Sequence, residues 1–445
     1  MLSQKSKVLL FSLCTLLLWG CSQAPRTQGL VVWHWLTDRQ DALNDLAVQY
    51  QEKTGIPVEF KLFFPADIYS QKVIAAARAG NLPDIFGILG EKKILGSFIK
   101  AGHILDLTSY MEKDNHKWQN SFYPQTLAVT QFKKDNFYKV PPGTYAVPID
   151  TTVMQFIYNR SVFQQVGLDP NRGPRTFDEF IAVAKQVKEN LGIDGFVCGW
   201  GEGWLLNALA TEWAINLMGE EKFLNTIAGT VSYTDPQWIK VFSLFMKLKE
   251  SGVLASNIEK MTNKEAEDAF AKGKAVFSFN GSWAVNVYRQ LNPRLDYAFF
   301  SLPEVSDKYP EKIWGGAGTS FMVHARSAQK EEAVRFLEWI TQNLQQEFLV
   351  LKTNNLPAVK MDPEKFPSIL KTLGNDLKMS VEDFPGSSPR PELEKLTHPN
   401  VWPKNEDARV IEVMNRGLQQ IIMGLKTPQG VAQEIQAVKE RVSQL

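Results

Sequence analysis

The side chains able to do chemistry in this sequence sort by their spacing. The five histidines, His34, His103, His116, His324 and His398, are scattered, with no H-E-x-x-H pair to hold a metal. The three cysteines, Cys14, Cys21 and Cys198, have no zinc-ligand spacing. There is no G-x-S-x-G turn for a nucleophilic serine and no G-x-x-x-x-G-K-S/T loop for a nucleotide. No catalytic residue, cofactor or metal is therefore expected. What stands out instead is a supply of 12 Trp and 27 Phe among loop carboxylates. An indole is a wide, rigid apolar platform, while carboxylate, amide and guanidinium groups pair hydroxyls. That combination suits an uncharged polyhydroxy molecule, which has C–H faces to stack and hydroxyls to satisfy. A poorly matched molecule leaves buried polar groups unpaired, at about 1–3 kcal/mol each.

The elements that must position such residues alternate between strand-like and helix-like stretches, an α/β pattern. Leu30–Trp35, Val58–Phe64 and Asp84–Leu89 read as strands. Helices Asp41–Lys53, stopped by Gly55, and Ile68–Ala79 lie between them. This is a βαβαβ start for a mostly parallel sheet. A second set follows, with strands at Thr152–Tyr158, Gly195–Trp200, Ala275–Asn280, Leu295–Phe300 and Gly318–His324. Thr176 and Glu179 form a capping box for a helix with Phe177, Phe180, Ala184 and Val187 on one face. The stripe Ala333, Leu337, Ile340, Leu344, Phe348 predicts a single helix from Ala328 to about Val350, and two more helices close the chain near 407–424 and 428–443. Trp213, Trp238 and Trp339 fall on helical faces and are expected in the core. Trp35 and Asp38 lie where the first strand runs into the first helix, the sheet edge at which such folds bind ligands.

Lys+Arg is 49 and Asp+Glu 48, a net charge of +1, which argues against a broad electrostatic footprint for nucleic acid or anionic lipid. Lys5 and Lys7 precede the apolar run Val8–Leu18, too short for a comfortable membrane span and of the length of a signal segment. Residues 1–20 are expected to be a lipoprotein signal peptide. Leu18-Trp19-Gly20-Cys21 resembles a bacterial lipobox, which makes Cys21 the lipidated N-terminus and residues 21–28 a tether. A soluble body would then be held on the periplasmic side of the cell membrane. Removal of Lys5 and Lys7 leaves 47 − 48 = −1, and Cys198 remains as a buried small hydrophobe.

Eight landmarks then occur in order: Val32-Trp-His-Trp35, Ala79-Gly-Asn-Leu-Pro-Asp84, Tyr145-Ala-Val-Pro-Ile-Asp150, Ile157-Tyr-Asn-Arg160, Phe270-Ala-Lys-Gly-Lys-Ala275, Asn280-Gly-Ser-Trp283, Trp314-Gly-Gly316 and Asn355-Leu-Pro357. Together, over essentially the whole mature chain, they resemble the family 1 extracellular solute-binding proteins of ABC importers, the maltose-binding-protein-like group. The resemblance implies a two-lobed periplasmic-binding-protein fold (type II), each lobe a mixed sheet flanked by helices and joined by a multi-segment hinge. Lobe one is expected at 29–146 plus 304–352 and lobe two at 147–303 plus 353–445, with crossings near 145–150, 298–304 and 352–358. It implies a receptor that performs no reaction. The receptor would bind a neutral mono- to oligosaccharide or glycoside, such as a maltodextrin, trehalose, sucrose or glucosylglycerol. It would deliver that ligand, as a monomer, to permease subunits served by a separate ATPase chain.

Carried onto this sequence, the resemblance marks Glu91, Asp150, Thr152, Glu202, Trp204, Trp283, Trp314, Gly315, Gly316 and Arg390 as ligand contacts, beside Trp35 and Asp38. Trp314-Gly315-Gly316 would be the return to the first lobe, and Asp84 would be structural. Three alternatives stay open: a sugar or glycerol phosphate held by Arg39 and Arg390, a secreted glycoside hydrolase using two acids such as Glu91 and Asp150, and a receptor whose main partner is a sensor protein.

Overall fold

The computed structural model describes residues 29–353 except 65, 90–91, 135 and 137, together with 355–361, 365 and 408–443. Cys21, Glu91 and Arg390 lie outside the described residues.

Twelve strands are present among them: β1 Leu30–His34, β2 Val58–Leu62, β3 Ile85–Gly87, β4 Gln131–Phe132, β5 Gly143–Thr144, β6 Val147–Pro148, β7 Thr151–Asn159, β8 Asp194–Val197, β9 Ala275–Gly281, β10 Tyr297–Phe300, β11 Gly315–Ala317 and β12 Ser320–Val323. The first sheet runs β2-β1-β3-β12-β6. Its βαβαβ start is parallel, with Leu30 opposite Val58 and Val32 opposite Ile85. The intervening helix Gln40–Thr54 buries Leu43, Leu46, Ala47 and Tyr50 and ends on Gly55, whose φ of 76° is the left-handed stop the sequence predicts. The later strands depart from a mostly parallel sheet, because β12 runs antiparallel to both β3 and β6.

The second sheet runs β10-β7-β9-β8, with β11 also pairing β7. All nine residues of β7 are buried. Val153 and Ile157 enter one apolar cluster while Met154, Phe156 and Tyr158 enter another. Alternation thus feeds two cores, and the strand reads as a continuous apolar run because both faces are covered. Trp213, Trp238 and Trp339 are core residues as expected, at most 5% exposed, and Cys198 is fully buried. The closing helices Ala408–Met423 and Pro428–Ser443 add Val410, Leu418, Ile421, Val431 and Ile435 to the second core.

Three local expectations need correction. The stretch 328–350 is two helices, Lys330–Ile340 and Asn343–Thr353. The Thr341 hydroxyl bonds back to the Leu337 and Glu338 carbonyls at the break, and Leu344 turns out to solvent at 68% exposure. Thr176 caps the Glu179 N–H, but Glu179 accepts from Arg175 N instead of closing the box on Thr176; the complete box is at Thr262 and Glu265. Finally, the chain does not leave the second sheet near 304. Glu304 bridges Thr176, Asn216 donates to the Ser306 and Tyr309 carbonyls, and β11 pairs Gly316 with Thr152. Trp314-Gly315-Gly316 therefore belongs with the second sheet, and the chain rejoins the first at Thr319–Ser320, where the Ile149 N–H donates to the Thr319 carbonyl.

Candidate functional site

Three indoles converge at the ends of elements. Trp204 opens the helix Trp204–Met218, Trp283 is the N-cap of Ala284–Leu291, and Trp314 immediately precedes β11. The Trp204 ring centroid lies 6.0 Å from that of Trp283 and 6.1 Å from that of Trp314, and all three side chains are half-buried. The arrangement is a contiguous aromatic wall on the second lobe. Each ring is also held at its polar edge or backbone by a glutamate. Trp204 Nε1 donates to Glu202 at 3.3 Å, Trp283 Nε1 to Glu267 at 3.0 Å, and the Trp314 backbone N–H to Glu212 at 2.7 Å. Burial pushes the Glu212 carboxyl well above its ordinary range, against the Trp314 hydrogen bond, which favours ionisation.

The first lobe answers with Trp35, just past β1. Its ring lies 5.1 Å from that of Tyr69 and not among the other three. A common device seats an indole in each lobe. A Cβ on Gly87, at the end of β3, would lie 2.4 Å from the Trp35 ring, and one on Gly281, at the end of β9, would lie 1.9 Å from the Trp283 ring. Both strand-terminal glycines leave the space that an aromatic face fills.

The predicted acids behave differently from the aromatics. Asp150 is 4% exposed, and its carboxylate is taken by Arg39 Nη1 and the Thr319 N–H. Asp38 Oδ2 lies 3.1 Å from the same guanidinium, and the Asp38 carbonyl accepts from Asn286 Nδ2 on the helix Ala284–Leu291. Burial alone would lower the Arg39 pKa, but Asp38 and Asp150 outweigh it and hold the guanidinium charged. Thr152 lies beside Asp150 over Gly318, where a Cβ would meet Thr152 Oγ1 at 2.4 Å and Asp150 Oδ1 at 2.5 Å. Glu202 is exposed, but it also accepts from the Asn263 N–H at 2.9 Å, at the start of Asn263–Ala271. Asp84 is structural, tying Val31 N to the Ser327 hydroxyl.

The structure brings together three of the rings that the sequence singles out, and sequence reasoning missed Glu212 and Glu267 behind them. A signal existed for both. Glu212 is the sole ionisable side chain of a fifteen-residue buried helix. Glu267 shares a helical face with Asn263, Ala266, Phe270 and Ala271, all buried. Among the described residues no group of His, Cys, Asp and Glu could hold a metal ion, and no helix is long and apolar enough to cross a membrane.

Residues 34–347 match the family model of the bacterial extracellular solute-binding proteins. The chain is 25% identical over 274 residues to the multiple sugar-binding protein of Streptococcus mutans, covering 59% of each. It is 24% identical over 349 residues, 76% of each, to an sn-glycerol-3-phosphate-binding periplasmic protein of Brucella melitensis. Among solved structures, a chitin oligosaccharide binding protein superposes with a TM-score of 0.70 at 23% identity, covering 93% of this chain and 99% of that one, which establishes the two-lobed type II fold. This chain belongs to the bacterial extracellular solute-binding protein family.

Proposed function

We propose that this protein is the substrate-binding lipoprotein of an ABC importer, and that it clamps a neutral sugar or glycoside between Trp35 and the wall of Trp204, Trp283 and Trp314. The observation that carries this reading is the wall itself. Its three half-buried rings lie together with a glutamate bonded to each residue, and an indole face is what the C–H faces of a saccharide require. The family and a sugar-binding relative lend support. Lobe one would comprise 29–149 with 319–353 and 355–361, where the Lys360 N–H donates to the Ser121 carbonyl and Val359 bridges Phe122, and lobe two 150–318 with 408–443, moving as rigid halves about the stitched crossings. Lipidation at Cys21 would anchor the body outside the cell membrane beside its permease.

The similarity to a glycerol-phosphate receptor favours an anionic ligand as the second reading. The site weighs against it, because the buried Arg39 is neutralised by two carboxylates and presents no surplus charge to a phosphate. A thermal-shift panel of mono- to oligosaccharides, polyols and sugar phosphates decides. A ligand at 100 times its Kd adds about 2.7 kcal/mol to stability. A shift from neutral saccharides alone supports the proposal, a shift only from phosphates replaces it with the second reading, and turnover of a glycoside defeats both.

A further inference from the structure

Glu267 is fully buried, yet it is an acid on the helix Asn263–Ala271. A buried carboxylate persists only with partners. Its Oε1 accepts from Trp283 Nε1 at 3.0 Å, Asn263 Nδ2 at 2.9 Å and Asn280 Nδ2 at 3.2 Å, and Oε2 lies 3.0 Å from Lys264 Nζ. Asn263 carries the chain onward, since its backbone N–H donates to Glu202 Oε1 at 2.9 Å and Glu202 Oε2 accepts from Trp204 Nε1 at 3.3 Å. A continuous polar path therefore runs Trp204–Glu202–Asn263–Glu267–Trp283 behind the wall. The Trp283 ring has one face on Gly281 and its polar edge on Glu267. Two contacts of different kinds fix a plane that either alone would leave free to turn.

We propose that Glu267 is a positioning residue for binding: it sets the plane of Trp283 and, through Asn263 and Glu202, that of Trp204, so that these two rings meet ligand by their faces and give no indole N–H to a hydroxyl. The inference rests on the reading that a saccharide stacks on the wall. Its consequence is a preference for sugars with an uninterrupted C–H face over isomers that would need a donor from this side.

The test uses the full chain with 15N-labelled tryptophan. In the wild type the Trp283 indole N–H should exchange with solvent far more slowly than an exposed indole. Glu267→Leu should release it by about tenfold or more, and Glu267→Gln, whose amide oxygen still accepts, should restore most of the protection. The Trp213 indole, bonded to the Pro303 carbonyl at 3.3 Å, reports on the core and should not move. Titration with raffinose, stachyose and chitobiose should show Glu267→Leu weakening whichever binds by about tenfold. Fast exchange at Trp283 in the wild type overturns the inference without any variant. So does Glu267→Leu that frees the indole yet binds as the wild type does, while Trp283→Ala loses binding. Trp283→Ala binding every saccharide with wild-type affinity defeats the stacking reading itself, whatever the exchange rates.

Discussion

At the scale of the residue, aromatic and acidic candidates differ in how far sequence reveals them. Trp204, Trp283 and Trp314 stand in short recognisable strings, and their role depends on a large face that few surroundings can hide. The role of a carboxylate depends on who meets it. Asp150 and Glu202 look like free loop acids until Arg39, Thr319, Asn263 and Trp204 are brought up by the fold. Glu212 shows the energetic side. Its folded pKa is raised by burial, so the native state holds a proton that the unfolded chain releases above its ordinary value of about 4.5. Fewer protons bound in the unfolded state means stability falls as pH rises through and beyond that value. Glu212→Gln keeps an oxygen for the Trp314 N–H and removes the titration. Urea midpoints at pH 5 and pH 8 should show the wild type losing stability over that interval and the variant losing less. Parallel slopes would remove Glu212 from the account.

At the scale of the element, periodicity located most strands and helices because their apolar positions repeat at 2 or 3.6 residues. It failed at 328–350, where the stripe continues in sequence across a turn made by Thr341, a residue whose hydroxyl competes for backbone carbonyls. It also could not show that the ends of β3 and β9 are seats for indoles, since a glycine there reads only as a break. That geometry makes a prediction. Gly281→Ala places a methyl group inside the Trp283 ring, and Gly87→Ala does the same beneath Trp35. Neither glycine has a positive φ, so the cost is steric and falls on the ring. Each variant should fold, lose about 1–3 kcal/mol of stability from overpacking, and bind the wild-type saccharide at least about tenfold more weakly. Calorimetric titration showing either variant at wild-type affinity would separate that indole from the ligand.

At the scale of the whole molecule, the two-lobed plan was legible from two runs of alternating elements, but the point of return was not. β11 pairs with β7 through Gly315–Ala317, an antiparallel contact between segments about 160 residues apart that no local pattern announces. The contact between the halves was equally invisible. The Asp38 carbonyl, at the turn after β1, accepts from Asn286 Nδ2 and, at 3.4 Å, from Gln290 Nε2, both on the helix Ala284–Leu291 of the other lobe. These bonds need no ligand, so if the proposed lobes close by hinge motion the bonds would bias the resting equilibrium toward closure. Two such bonds are worth about 1–2 kcal/mol together, a roughly 5–30-fold change in the ratio of closed to open forms. In Asn286→Ala/Gln290→Ala the Asp38 carbonyl meets water on opening, so no buried group is stranded and the fold survives. Small-angle scattering should then give the ligand-free variant a larger radius of gyration than the wild type. Saturating saccharide should bring the two together, and the apparent affinity should drop by the lost fraction of the competent state. Equal radii without ligand would mean that closure owes nothing to this contact and is driven by ligand alone.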